Sequence, residues 1–266
     1  MPMQDLRVTF IQANLFWEER EKNLDHFDSL LSRVTGQPDL ILLPEMFNSG
    51  FSINPAACAE TMDGPSVEYL RSRAENKNAV IMATLLISEG GNYYNRLVCM
   101  FPDGRYETCD KRHLFRLSGE NRIFANGKQR KVLEIKGWKI LPLVCYDLRF
   151  PVWSKNTWSE GQYEYDLLVY LANWPACRSH PWKTLLAARA MENQAYVAGA
   201  NRVGDDGHGN WHSGDSVILD AKGIPLYAAP EGAEDIGFAA CSAENLKIFR
   251  DSCTIGMDWD QFTLNV

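Results

Sequence analysis

The chain is 266 residues long, 45% hydrophobic and 23% charged, and its 34 Asp+Glu against 27 Lys+Arg leave a formal net charge of −7. A chain of this length buries roughly three quarters of its unfolded surface, so it needs no metal or disulfide staple, and its composition excludes a disordered, collagenous or low-complexity protein. The acidic balance, with a pI near 5.3, argues against nucleic acid or a membrane surface as partner, since counterion release needs clustered Lys and Arg and the trio Lys128, Arg130 and Lys131 is too short to supply it.

Taken in chain order, Leu6 to Gln12 reads as a strand, and residues 18–34 place Leu24, Phe27, Leu30, Leu31 and Val34 on one helical face. Asp39 to Leu43 is a short continuous apolar run stopped by Pro44, which predicts a strand buried on both faces. Val67, Leu70 and Ala74 share one face of a second helix entered through Gly64-Pro65. Ala79 to Ile87 and Tyr93 to Phe101 flank Gly90-Gly91 as a hairpin, and Pro102-Asp103-Gly104 turns the chain again. Lys131 to Ile135 and Trp138 to Cys145 flank Lys136-Gly137. A strand from Leu167 to Leu171 precedes a helix from about Trp182 to Asn193, and a strand follows from Ala195 to Asn201. Ser216 to Leu219 and Ile224 to Ala228 pair across Ala221-Lys222-Gly223. No repeat, linker or composition break divides the chain, so one domain over 1–266 is expected, of α/β class with mixed sheets.

The N-terminus carries no basic region followed by an apolar segment, and no run approaches the ~18 apolar residues of a membrane helix. The cysteines, at 58, 99, 109, 145, 177, 241 and 253, are odd in number and form no Cys-x-x-Cys pair. Reduced thiols in a cytoplasm are therefore expected rather than a disulfide framework or a zinc site. His208 and His212 stand four apart in a Gly-rich loop with no helix to align them, so no metal site is expected. The chain has no Gly-x-Gly-x-x-Gly or P-loop, and no cofactor is implied.

Three stretches put a polar group just beyond an apolar strand. In Leu43-Pro44-Glu45-Met46-Phe47, Glu45 is either a partly desolvated base suited to accept a thiol proton or a solvated carboxylate at a strand exit. In Asp110-Lys111-Arg112-His113-Leu114-Phe115, an inward Lys111 would supply a fixed charge for an oxyanion; the other reading is an exposed charged loop. Val144-Cys145-Tyr146-Asp147-Leu148-Arg149-Phe150-Pro151 has the form of a strand–elbow–helix that exposes a nucleophile, although Cys145 could simply pack in the core. Asp147 and Arg149 read as a structural ion pair or cap. His113 beside a cysteine leaves open a papain-like Cys/His hydrolase, for which Glu45 would be dispensable.

The order and contexts of Glu45, Lys111 and Cys145 resemble the nitrilase superfamily of carbon–nitrogen hydrolases. The resemblance runs on through Ala172-Asn173-Trp174-Pro175, Arg189 to Asn193, Asn201-Arg202-Val203-Gly204 and Ser213 to Ser216. It implies a four-layer α-β-β-α sandwich, a Glu45–Lys111–Cys145 triad with Glu120 as a second glutamate, and a homodimer or larger assembly. It also implies a thioester mechanism in which the backbone N–H of Tyr146 helps Lys111 hold the oxyanion. The Cys-Tyr-Asp-Leu-Arg-Phe-Pro run looks like the amidase branch, and Phe47-Asn48-Ser49-Gly50-Phe51-Ser52, Asn173-Trp174-Pro175 and Asn193-Gln194-Ala195-Tyr196 resemble the ω-amidases, which deamidate 2-oxoglutaramate and 2-oxosuccinamate. Such substrates carry a carboxylate, for which Arg116 is the first candidate and Arg178 the second, with Trp174 walling the pocket. An N-carbamoyl-amine or generic aliphatic amide hydrolase, and a binding protein on an inactive scaffold, stay as alternatives.

Overall fold

The computed structural model describes Pro2 and residues 4–264. Two six-stranded sheets form its centre. The first runs in the order Asp235–Cys241, Leu6–Gln12, Leu40–Leu42, Val80–Glu89, Asn92–Met100, Tyr106–Asp110. The second runs Pro225–Ala228, Val217–Leu219, Tyr196–Asn201, Leu167–Ala172, Trp138–Val144, Leu133–Ile135.

Side-chain alternation decides which layer each strand residue feeds. Leu6, Val8 and Phe10, with Leu40 and Leu42, join Ile140, Leu167 and Val169 of the second sheet in one core. Their neighbours Ile11, Ile41 and Leu43 face the other way, onto Phe27, Leu30, Leu31, Val67, Leu70 and Ala74 of the helices Arg20–Ser32 and Pro65–Lys77. The helix Ser179–Asn193 covers the second sheet through Trp182, Leu186 and Ala190. Gly199 lies beneath it, where an added Cβ would stand 2.7 Å from Leu186 and 2.9 Å from Trp182, so only glycine lets helix and sheet approach this closely. The result is the α-β-β-α sandwich, with mixed sheets.

The strand Leu6–Gln12 falls where the alternation places it. The run expected from Asp39 starts at Leu40, because the Asp39 side chain turns back to accept from the Arg7 N–H and guanidinium. The helix expected from Trp182 begins three residues sooner, at Ser179. Several elements have no counterpart in the sequence pattern, among them Tyr106–Asp110, Asp235–Cys241 and the helix Ala243–Ser252. The first is an edge strand of half-buried polar residues with no apolar signal. The second carries Gly237 where any Cβ would collide with the Phe10 ring, and its small residues give no strand pattern.

The strands Leu40–Leu42, Trp138–Val144 and Leu167–Ala172 each run parallel to a neighbour, and each ends at one of the candidate groups: Glu45, Cys145 and Asn173. Open α/β sheets characteristically place their chemistry beyond the carboxyl ends of such strands. No helix among the described residues is long and apolar enough to cross a membrane.

Candidate active site

Cys145 follows directly on the strand Trp138–Val144 and opens a short 3-10 turn to Arg149. Its φ is +45°, a left-handed conformation that non-glycine residues adopt at a cost, and Met46 beside Glu45 has φ +47°. Both kinks turn the chain sharply at a strand end, as the elbow reading requires. Asp147 holds the turn: it accepts from Val144 N–H at 3.1 Å and from His113 N–H at 2.9 Å. Its expected capping role stands. Arg149 is not its partner.

Lys111 is fully buried and all three of its donor directions are spent on glutamate oxygens. Nζ lies 2.8 Å from Glu45 Oε1, 3.1 Å from Glu120 Oε1 and 3.0 Å from Glu120 Oε2. Burial works against the ammonium, but Glu120 and Glu45 outweigh it and raise its proton affinity, so it stays charged. Burial and then the neighbouring Glu45 push Glu120 upward, against the pull of Lys111. Glu120 also accepts from Phe115 N–H at 2.5 Å, which fixes the loop between the two residues. Glu45, equally buried, receives Asn173 N–H on Oε2 at 2.9 Å. The Cys145 thiol is raised well above its ordinary value by burial and by the Glu45 carboxylate, while Lys111 opposes the rise. The resting sulfur is thus a thiol next to an acceptor, with Sγ 3.9 Å from the Asn173 carbonyl.

These groups meet at a cavity of about 310 Å³ that Lys111, Cys145, Tyr146, Asn173 and Trp174 line. The structure therefore brings together Glu45, Lys111, Glu120 and Cys145, with Tyr146 and Trp174 beside them. Of the two arginine candidates, Arg178 lines the cavity and Arg116 does not. Arg149, which reads from the sequence as structural, lines it as well, with its guanidinium carbon 4.9 Å from the Trp174 ring centroid. Arg178 stacks in the same manner over Phe115 at 5.4 Å. Neither has an ion-pair partner among the described residues, whereas Arg96 and Arg250 do. His113 does not line the cavity: its ring shares a hydrogen bond with Asp147 at 2.8 Å and stacks on Phe150 with centroids 3.7 Å apart. With its ring outside the cavity that Cys145 lines, His113 is not placed to serve the thiol, and the Cys/His reading lacks its geometry.

Two further groups belong to the site, neither of which the sequence pattern assigns to it. Asn95, fully buried, donates Nδ2–H to Glu45 Oε1 at 2.7 Å and to Glu120 Oε1 at 3.1 Å. The loop Asp206, His208, Asn210, His212 forms another cavity wall. Burial, with Arg202 nearby, pulls His212 down to about 4, so its ring is neutral. Nδ1 sits 2.9 Å from the Asn210 carbonyl and must carry the hydrogen, leaving Nε2 as an acceptor. Nothing in the strand pattern flags Asn95; the paired histidines are visible but have no helix to orient them.

A carboxylate, an ammonium and a thiol locked together at a cavity floor are the groups of a nucleophilic acyl transfer. The carbon–nitrogen hydrolase family model matches residues 7–251. The chain belongs to the carbon–nitrogen hydrolase family. Membership makes it an amide-cleaving hydrolase of the nitrilase superfamily. It is similar to the omega-amidase YafV of Yersinia enterocolitica, 47% identical over 265 residues that cover 98% of this chain and 100% of the relative. The 2-oxoglutaramate amidase of Bacillus subtilis is 27% identical over 86% of this chain and 87% of its own length. Among solved structures, the Xanthomonas campestris protein XC1258, a CN-hydrolase superfamily member with an arsenic adduct in its active site, superposes with a TM-score of 0.96. It is 41% identical, and the match covers 99% of this chain and 100% of that one.

Proposed function

We propose that this hydrolase cleaves the terminal amide of small oxo-dicarboxylic acid monoamides, such as 2-oxoglutaramate and 2-oxosuccinamate, to the acid and ammonia through a thioester on Cys145. The observation that carries the reading is the pair Arg149 and Arg178, both lining the cavity of Cys145 and both without an acidic partner among the described residues. Guanidiniums left without carboxylates beside an acyl-transfer centre suit an anionic substrate that brings its own. The omega-amidase and 2-oxoglutaramate amidase names of the relatives support the same class.

Glu45 takes the Cys145 proton as sulfur attacks the amide carbon, so the carboxylate becomes a carboxylic acid and the carbonyl oxygen an oxyanion. Lys111 turns one donor from the glutamates to that oxygen, and the Tyr146 N–H, at the start of a turn where it has no partner within the turn, supplies another. Collapse breaks the carbon–nitrogen bond while Glu45 returns its proton to nitrogen, and ammonia leaves. Water then attacks the thioester, giving Glu45 a proton that passes to the departing sulfur. Glu120 keeps Lys111 in place throughout.

A panel of amides read out by ammonia release tests this. The oxo-acid amides should exceed neutral aliphatic amides and N-carbamoyl amines in kcat/KM, and Cys145→Ala should abolish release with the fold intact. A preference for neutral amides would remove the oxo-acid assignment; retained release in Cys145→Ala would remove the nucleophile.

A further inference from the structure

We propose that Asn95 is a positioning residue that holds Glu45 and Glu120 apart in the resting site, so that Glu45 is placed to take the Cys145 proton. This rests on the reading of Glu45 as the base for Cys145, not on the identity of the amide.

Asn95 sits on the strand Asn92–Met100, opposite Leu86, and its carbonyl accepts the backbone N–H of Lys111 at 2.9 Å. Backbone and side chain therefore act on the same cluster: the carbonyl fixes where the lysine leaves its strand, and the amide nitrogen bridges the two carboxylates. The cluster of Glu45, Glu120 and Lys111 carries two negative charges and one positive charge in a site closed to solvent. In the resting site the single ammonium is shared between both glutamates. Asn95 supplies a neutral donor that does not move, bonded to Oε1 of both glutamates. Its own Oδ1 is buried without a partner among the described residues, an arrangement that costs on the order of 1–3 kcal/mol. The charged and titratable groups around it are Glu45, Glu120, Lys111 and the Cys145 thiol.

The sign follows from hydrogen bonding to the charged form, which favours ionisation. Removing Asn95 takes a donor from both carboxylates, and for Glu120 that donor lowers its proton affinity, so the pH below which Cys145 alkylation fails must rise.

The test is the pH dependence of Cys145 alkylation by iodoacetamide in the full chain, which needs no substrate, with Cys145→Ala as the labelling control. In Asn95→Ala the acid limb of the alkylation rate should move up by about one pH unit. With an amide that the protein hydrolyses, the acid limb of kcat should move with it while KM stays within about threefold. Where Asn95→Ala melts well below the parent protein, Asn95→Ser, too short to bridge both carboxylates, should show the same displacement. Limbs that superpose on the parent in the folded variant overturn the proposal. Glu45→Gln separates the two failures: if it leaves alkylation unchanged, the base assignment fails; if it suppresses alkylation while Asn95 variants match the parent, only the role of Asn95 fails.

Discussion

The backbone N–H of Asn173 donates to Glu45 Oε2 at 2.9 Å across a sequence separation of 128 residues, and the Asn173 carbonyl lies 3.9 Å from Cys145 Sγ. One peptide segment at the end of a second-sheet strand thus touches the base, which the first sheet delivers, and the nucleophile. Because both contacts are backbone groups, the side chain at 173 contributes only its Nδ2–H bond to the Glu45 carbonyl. Replacing the base and replacing its holder should therefore differ in size. Glu45→Gln is expected to lower kcat by about 10²–10⁴, the usual range for a lost general base, with Asn173→Ala costing about tenfold. Ammonia release under saturating substrate measures both. Near-parental turnover in Glu45→Gln would return the base to another residue.

Among the described residues Lys111 is the only cation bonded to two buried carboxylates, and its removal should cost stability as well as rate. Lys111→Met fills similar volume but leaves Glu45 and Glu120 facing each other without a counter-charge. Breaking a buried pair in this way costs about 3–5 kcal/mol, and losing an oxyanion donor lowers kcat by about 10²–10³. Urea unfolding and steady-state kinetics on the same variant check the two effects. Adding Glu120→Gln should recover part of the stability and none of the rate, since it removes one charge without restoring a donor.

How much of this is legible in the sequence depends on what each residue needs from its neighbours. Glu45 and Cys145 follow strands whose apolar runs end abruptly, and that interruption alone marks them as candidates. Lys111, expected just beyond an apolar strand, in fact follows the polar edge strand Tyr106–Asp110, so the apolar pattern does not mark it and the motif resemblance does. Arg149 reads as a structural partner of Asp147 because the two stand two residues apart in sequence. In the fold Asp147 turns to backbone N–H groups and His113, and Arg149 goes to the cavity. Asn95 is invisible for a different reason. An asparagine in a β-strand signals nothing until a register places it opposite Leu86 on one strand and near Lys111 on another. Local spacing carries the elements; pairing across sheets carries the polar cluster.

Asp39 offers a pH test away from the site. Burial alone would raise its pKa, but the Arg7 guanidinium, Lys136 and the Arg7 backbone N–H outweigh burial and hold it at about 2. The unfolded value is about 3.9, so the interaction stabilises the fold above about pH 4 and is lost as pH falls from there toward 2. Arg7 and Lys136 are 38% and 43% exposed, so solvent screens both pairs, and the loss should be about 1 kcal/mol. Asp39→Asn should unfold at lower urea than the parent at pH 7, and the two midpoints should converge near pH 2. Parallel midpoints across that range would show that the carboxylate contributes nothing through its charge.

Arg149 and Arg178 approach the cavity from different elements, one at the end of the nucleophile turn and the other just before the helix Ser179–Asn193. Each rests on an aromatic face, Trp174 and Phe115, which orients a guanidinium without neutralising it. A substrate carboxylate held by one of them forms a charge-assisted bond whose loss costs about 1.5–3 kcal/mol, or roughly 10- to 150-fold in affinity. Arg149→Ala and Arg178→Ala should therefore raise KM for 2-oxoglutaramate by that order. For a neutral aliphatic amide of similar length kcat/KM should change little. Arg116→Ala, outside the cavity, should leave both substrates within about twofold, as surface substitutions generally do. The comparison between charged and neutral amide decides the matter: equal losses on both would mean that the arginines shape the cavity and do not read the carboxylate.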